Sequence, residues 1–189
     1  FDKKIREKRT SYFMPYRLRR IELLTLLHIF LSLVILVAGW NKVEEPQSQL
    51  LTFILIALIV IIMSRIGNKI KMLAILRDWY PIFIWSFFFA AATQMNRIFV
   101  SDYLDRFFQH VDFIIFGYQP ALIWGTRYSS FFLQEFFHFA YFSFYVMIPG
   151  LGLYYYWKDR ANFYRYLFMV ACVFYACYLT YYFLPVIGG

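Results

Sequence analysis

The sequence predicts an all-α fold, a polytopic bundle of five transmembrane helices with an interfacial helix and a short broken segment between the third and fourth spans. Three observations carry that prediction. Hydrophobic residues make up 62% of the 189 residues, against about half in a soluble domain, and mean hydropathy is +0.55. Apolar runs near the length that crosses a bilayer, about 20 residues, recur five times. Basic residues collect in alternate loops, as the positive-inside bias requires of a chain that crosses repeatedly.

The elements follow in order. The first 20 residues hold Lys3, Lys4, Arg6, Lys8, Arg9, Arg17, Arg19 and Arg20 against Asp2 and Glu7. Most of the net charge of +8 therefore sits beside a hydrophobic run. That placement argues against nucleic-acid binding and marks residues 1–20 as a cytoplasmic juxtamembrane anchor. Anionic lipid headgroups are the partner such a segment attracts, at about 1 kcal/mol per Lys or Arg. The bundle then occupies residues 21–189. Residues 21–40 are the first span, with Glu22 at its start and His28 inside. Residues 50–63 are a short second span between Pro46 and Arg65. Residues 79–99 are the third, with Pro81 expected in its first turn, where a missing N–H costs little. Residues 131–156 and 163–184 are the fourth and fifth, and Pro185 ends or kinks the last.

The loops set the expected sidedness. Loop 41–49 has Lys42 against Glu44 and Glu45, whereas loop 64–78 has Arg65, Lys69, Lys71 and Arg77 against Asp78 alone. Segment 100–130 balances Arg106 and Arg127 with Asp102, Asp105 and Asp112; loop 157–162 carries Lys158 and Arg160 against Asp159, with Arg165 just beyond. This alternation places the N-terminus in the cytoplasm and the C-terminus outside, in a membrane of the bacterial inner (plasma) type. Residues 101–124 are the interfacial segment: an amphipathic stretch, then an apolar one too short to cross and broken by Gly117 and Pro120. The opening at Phe1 and the close on Gly188-Gly189 read as the ends of a piece of a longer protein.

Candidate functional residues are the polar ones inside apolar runs. Glu135 and His138 stand one turn apart at the head of the fourth span, and Phe142 and Tyr145 continue their face. An acid near a helix N-terminus is favoured by the macrodipole. On the fifth span Tyr175, Tyr178 and Tyr182 share a face. Two readings stay open for Glu135, His138, Tyr141, Tyr145, Tyr178 and Tyr182: hydrogen-bonded glue between helices, or a polar cavity opening outward onto a lipid headgroup. A di-iron centre needs two Glu-x-x-His pairs and further carboxylates, and one pair is present, so no metal is expected. His28 has no polar neighbour in sequence; it either bonds to an adjacent helix or ligates a haem or pigment. No other cofactor is indicated. Cys172 and Cys177 point about 140° apart on a helix and read as free thiols.

Asp112-Phe-Ile-Ile-Phe-Gly117-Tyr-Gln-Pro120 is followed by Glu135-Phe-Phe-His138-Phe-Ala-Tyr141-Phe-Ser143-Phe-Tyr145 and by Tyr178-Leu-Thr-Tyr-Tyr-Phe-Leu-Pro185-Val-Ile-Gly188-Gly189. In that order and spacing the blocks resemble the membrane half of the type 2 phosphatidic acid phosphatase superfamily, in the branch related to inositol phosphorylceramide synthase. The resemblance covers residues 100–189 best. It implies an outward-facing bundle acting on lipid phosphates without a metal, by a His nucleophile, a second His as general acid, and cationic phosphate clamps. The family's Ser-x-His and Arg…His…Asp blocks are not found here, and His28, His110 and His138 match neither. No catalytic residue carries over, so the chain is expected to be inactive alone; Asp112, Gly117, Pro120, Glu135 and Tyr141 correspond at most to the family's supporting scaffold. The alternative reading is a non-catalytic subunit packed against other membrane proteins.

Overall fold

The computed structural model describes residues 18–67, 70–127 and 130–186. Most of the basic anchor, Lys69, and the terminal glycines therefore lie outside the described residues. Among those described there are seven α-helices and no strand: α1 (Arg20–Ala38), α2 (Pro46–Ile66), α3 (Lys71–Met95), α4 (Asp105–Phe116), α5 (Pro120–Arg127), α6 (Phe131–Lys158) and α7 (Arg160–Phe183). Five of them, α1, α2, α3, α6 and α7, are long and apolar enough to cross a membrane. The chain is thus an integral, multi-pass membrane protein.

Local chemistry sets the helix ends. The N–H of Arg19, in extended conformation, donates to Glu22 Oε2 at 2.7 Å and starts α1. Gly39 stops it, its N–H bonded to Ile35 O; a Cβ there would sit 2.3 Å from Ile98 Cγ2, so only glycine lets the chain pass so close. Pro46 opens α2 in its first turn, where no N–H is needed. One residue, Asp159, separates α6 from α7; its carboxylate accepts from the N–H groups of Ala161 and Asn162 at 2.9 and 3.3 Å.

Three expectations are corrected. The third crossing helix starts at Lys71 rather than at residue 79, so Pro81 lies inside it and not in its first turn. Arg77 and Asp78, expected in a loop, are buried within that helix, because partners on other helices neutralise them. Loop 157–162 is likewise replaced by the single residue Asp159, which places Lys158 in α6 and Arg160 in α7. Between the third and fourth crossing helices, α4 ends on left-handed Gly117 (φ 72°) and α5 begins on Pro120, so the expected break falls at the two residues that cause it.

α1, α2, α3 and α7 close into a four-helix ring, each packed on two neighbours. Phe53, Val60, Phe88, Met95, Phe163 and Tyr182 fill its interior and are fully buried. Arg19, Arg77, Asp78 and Arg160 gather at one end of the ring. At the other end Lys42 Nζ donates to Ile98 O at 2.8 Å, and Leu104 N–H donates to Pro185 O at 2.8 Å. α6 joins the ring through its second half, where Tyr166 OH donates to Ile148 O and Trp79 packs on Tyr156 and Phe163. Its first half, with α4 and α5, forms an arm whose large apolar side chains are exposed, Phe132 at 82%.

Candidate functional site

Two polar regions merit a functional reading. The first is an ionic clamp at the Arg19 end of the ring. Glu22 lies in the first turn of α1 and meets Arg77 of α3 in a fork, Nε to Oε1 at 2.7 Å and Nη2 to Oε2 at 2.8 Å. Both side chains are almost wholly buried. The neighbouring Asp78 accepts from Arg19 Nη1 at 2.7 Å, Arg160 Nη1 at 2.9 Å and Tyr164 OH at 3.0 Å. The Arg19 guanidinium also lies 4.7 Å from the centre of the Tyr164 ring, and that of Arg160 3.3 Å from the Tyr156 ring. Two carboxylates thus tie α1, α3 and α7 together. The fork–fork geometry is what makes a buried arginine–carboxylate pair tolerable.

Sequence reasoning missed this clamp. Its signal was available: an acid at the head of α1 and an arginine–aspartate pair flanking an apolar run that the charge alternation brings to the same end. Local hydropathy places Arg77 and Asp78 outside the membrane because it scores them one at a time. Paired, they enter the helix.

The second region is the arm, where most of the expected site residues lie. Glu135 and His138 are exposed on α6 and make no hydrogen bond or ion pair among the described residues. Among the described residues neither side chain bridges to another helix. Tyr141 and Tyr145 are exposed too, their hydroxyls 2.9 Å apart. Tyr178 and Tyr182, by contrast, are buried in the ring: Tyr178 OH donates to Trp85 O at 3.1 Å and Tyr182 OH to Ser32 Oγ at 3.1 Å. The tyrosine stripe of α7 therefore faces α1 and α3, and not the stripe of α6, because a tyrosine with a partner is cheaper to bury than one without. Asp112 and Gly117 lie on the exposed arm, Gly117 as the left-handed cap of α4, and Pro120 is the first residue of α5. An open, mainly apolar cleft runs between α5 and α6, lined by Trp124, Gly125, Leu133, Gln134 and Phe137.

His28 is 2% exposed and packs against aromatic rings of α3 and α7, bonded to none of them. Among the described residues no three His, Cys, Asp or Glu side chains come close enough to hold a metal ion. Cys172 and Cys177 are free thiols. No family model, curated protein or solved structure matches this chain.

Proposed function

We propose that this chain is the membrane scaffold of a protein that hydrolyses or transfers a phosphate ester of a lipid, with the reacting residues supplied from outside this chain. The observation that carries the reading is the arm. Its corner, a helix closed by left-handed Gly117 and reopened by Pro120, is built from the same Asp112…Gly117…Pro120 block that resembles the lipid phosphatases. Beside that corner the apolar cleft between α5 and α6 borders Gln134, the neighbour of Glu135. An acyl chain suits the cleft and a polar headgroup suits the Gln134–Glu135–His138 rim. In this reading the Arg19 end faces the cytoplasm and anionic headgroups, the arm faces outward, and the membrane is of the bacterial inner type.

The test uses the full-length protein in vesicles containing phosphatidic acid and a chelator. Phosphate should be released, or passed to an added alcohol, without divalent metal. Folded full-length protein that does neither would remove the proposal. A non-catalytic subunit is the second reading, favoured by the bare first half of α6. It requires a stoichiometric membrane partner to copurify in mild detergent and phosphate release to stay at background.

A further inference from the structure

Exposed cations crowd the end of the ring where α1, α3 and α7 begin and α2 and α6 end: Arg20, Arg65, Lys71, Lys158 and Arg165. Two arginines in their midst are held in place. Arg19 Nη1 donates to Asp78 Oδ1 at 2.7 Å and Arg160 Nη1 to Oδ2 of the same carboxylate at 2.9 Å. Each guanidinium also lies on a tyrosine face, Arg19 on Tyr164 and Arg160 on Tyr156. The Asp78 side chain is 5% exposed, those of Arg19 and Arg160 26% and 50%. The carboxylate therefore grips the pair from inside, and the outer edges of both guanidiniums face the surroundings.

The charges do not balance. Glu22 is taken by Arg77, so Asp78 has one negative charge to share between two guanidiniums. One positive charge is left over among these five side chains. Each guanidinium has five N–H donors, and among the described residues the side chains of Arg19 and Arg160 each spend one nitrogen on Asp78. A phosphate carries the missing charge and several acceptor oxygens, and its geometry matches the arginine fork. Asp78 and the two rings have already ordered both side chains, so little rotamer freedom is lost on binding.

The surroundings point to a phosphate that carries acyl chains. Arg19 O accepts from Leu23 N–H at 3.0 Å, so Arg19 is in helical register with α1. Leu23, Leu27 and Phe30 follow it at spacings of four, four and three, on one face, and all three are exposed. A cation thus stands at the head of an exposed apolar stripe. Trp157 and Tyr154, both exposed, lie at the same end of α6, and such residues settle at the headgroup level of a bilayer. A free phosphate would meet the guanidiniums alone, whereas a phospholipid would cover the stripe as well.

We propose that Arg19 and Arg160 form a site for the phosphate of one anionic phospholipid, its acyl chains lying along Leu23 and Leu27 of α1. The headgroup bridges α1 and α7 from outside, as Asp78 does from inside. The site shares no residue with the arm, and it stands whether or not the protein acts on lipid phosphates.

The experiment is native mass spectrometry of the full chain in mild detergent, with equal amounts of phosphatidylglycerol and phosphatidylcholine of matched acyl chains. Both have the phosphate, but the choline cation cancels its charge. The chain should retain one phosphatidylglycerol in preference. Arg160→Gln, at a half-exposed position, should lower that preference about five-fold, the worth of one arginine facing an anionic headgroup. Lys158→Gln with Arg165→Gln, exposed cations outside the pair, should lower it far less. Where circular dichroism shows Arg160→Gln unfolded, Arg160→Lys keeps the charge, loses the fork and should show a smaller loss of the same sign. No preference for phosphatidylglycerol would overturn the proposal. So would equal losses in the two sets of variants, the mark of a diffuse field of charge. Glycerol phosphate at matched concentration, an anion without chains, should not displace the lipid; displacement would overturn the assignment to a phospholipid.

Discussion

Inside the ring of α1, α2, α3 and α7, Glu22, Thr25 and Ser32 each reach a partner on another helix. Along the first half of α6, the side chains of Gln134, Glu135 and His138 reach none among the described residues. Both stretches are apolar runs with an acid near the helix N-terminus and a histidine further in. What separates them is whether another helix supplies the complementary group. In the ring, polar residues fix which helices touch and at what height. On the arm they remain a surface, available to whatever meets it in the bilayer.

That contrast breaks most sharply at Arg77. Replacing it with alanine leaves the Glu22 carboxylate buried without its fork, a loss of about 3–5 kcal/mol for half of a buried pair. Arg77→Ala should not survive extraction in mild detergent as a monodisperse peak, whereas Arg77→Met with Glu22→Gln should recover much of the loss. Equal behaviour of Arg77→Ala and an arm variant would show that the clamp does not organise the ring. Asp78→Asn comes next. Arg19 and Arg160 would keep hydrogen bonds but lose a counter-charge, and the Arg160 side chain is half exposed, so water makes good part of the loss. About 1–2 kcal/mol is expected, read as a lower midpoint in thermal unfolding. Tyr182→Phe is smaller. It removes one hydroxyl donor to Ser32, and hydrogen bonds between membrane helices average about 0.6 kcal/mol. A loss above about 2 kcal/mol would mean that the interior stripe is a cooperative network rather than separate pairs.

The five long apolar helices were legible because each rests on a local property, an apolar run bounded by charge, and the break at Gly117 and Pro120 because those residues act on their own backbone. The start of α3 was not legible. Arg77 finds its carboxylate 55 residues away and Asp78 its arginines 59 and 82 residues away, and no window of hydropathy spans that distance. The tyrosines of α7 show the same division. Their shared face could be read from spacing, but that it looks toward Thr25, Trp85 and Ser32 depends on the order in which the ring closes. His28 had no polar neighbour in sequence, and in space its nearest tyrosine offers it a ring face where a hydrogen bond was one of two expectations.

The smallest effect is expected on the arm, and it bears most on function. Glu135→Ala and His138→Ala remove side chains that bond to no polar group among the described residues, so the unfolding midpoint of the chain in detergent should not move. The same variants in the full-length protein test what the arm meets. If a lipid headgroup sits at the rim, they should raise the lipid concentration needed for half-maximal turnover and leave the midpoint alone. If a partner helix covers the rim, each leaves a polar group of that partner unpaired in the membrane, and the midpoint of the complex should fall while that of the isolated chain does not. An isolated chain destabilised as much by Glu135→Ala as by Tyr182→Phe would mean that α6 packs on its own ring, and the distinction between ring and arm would be lost.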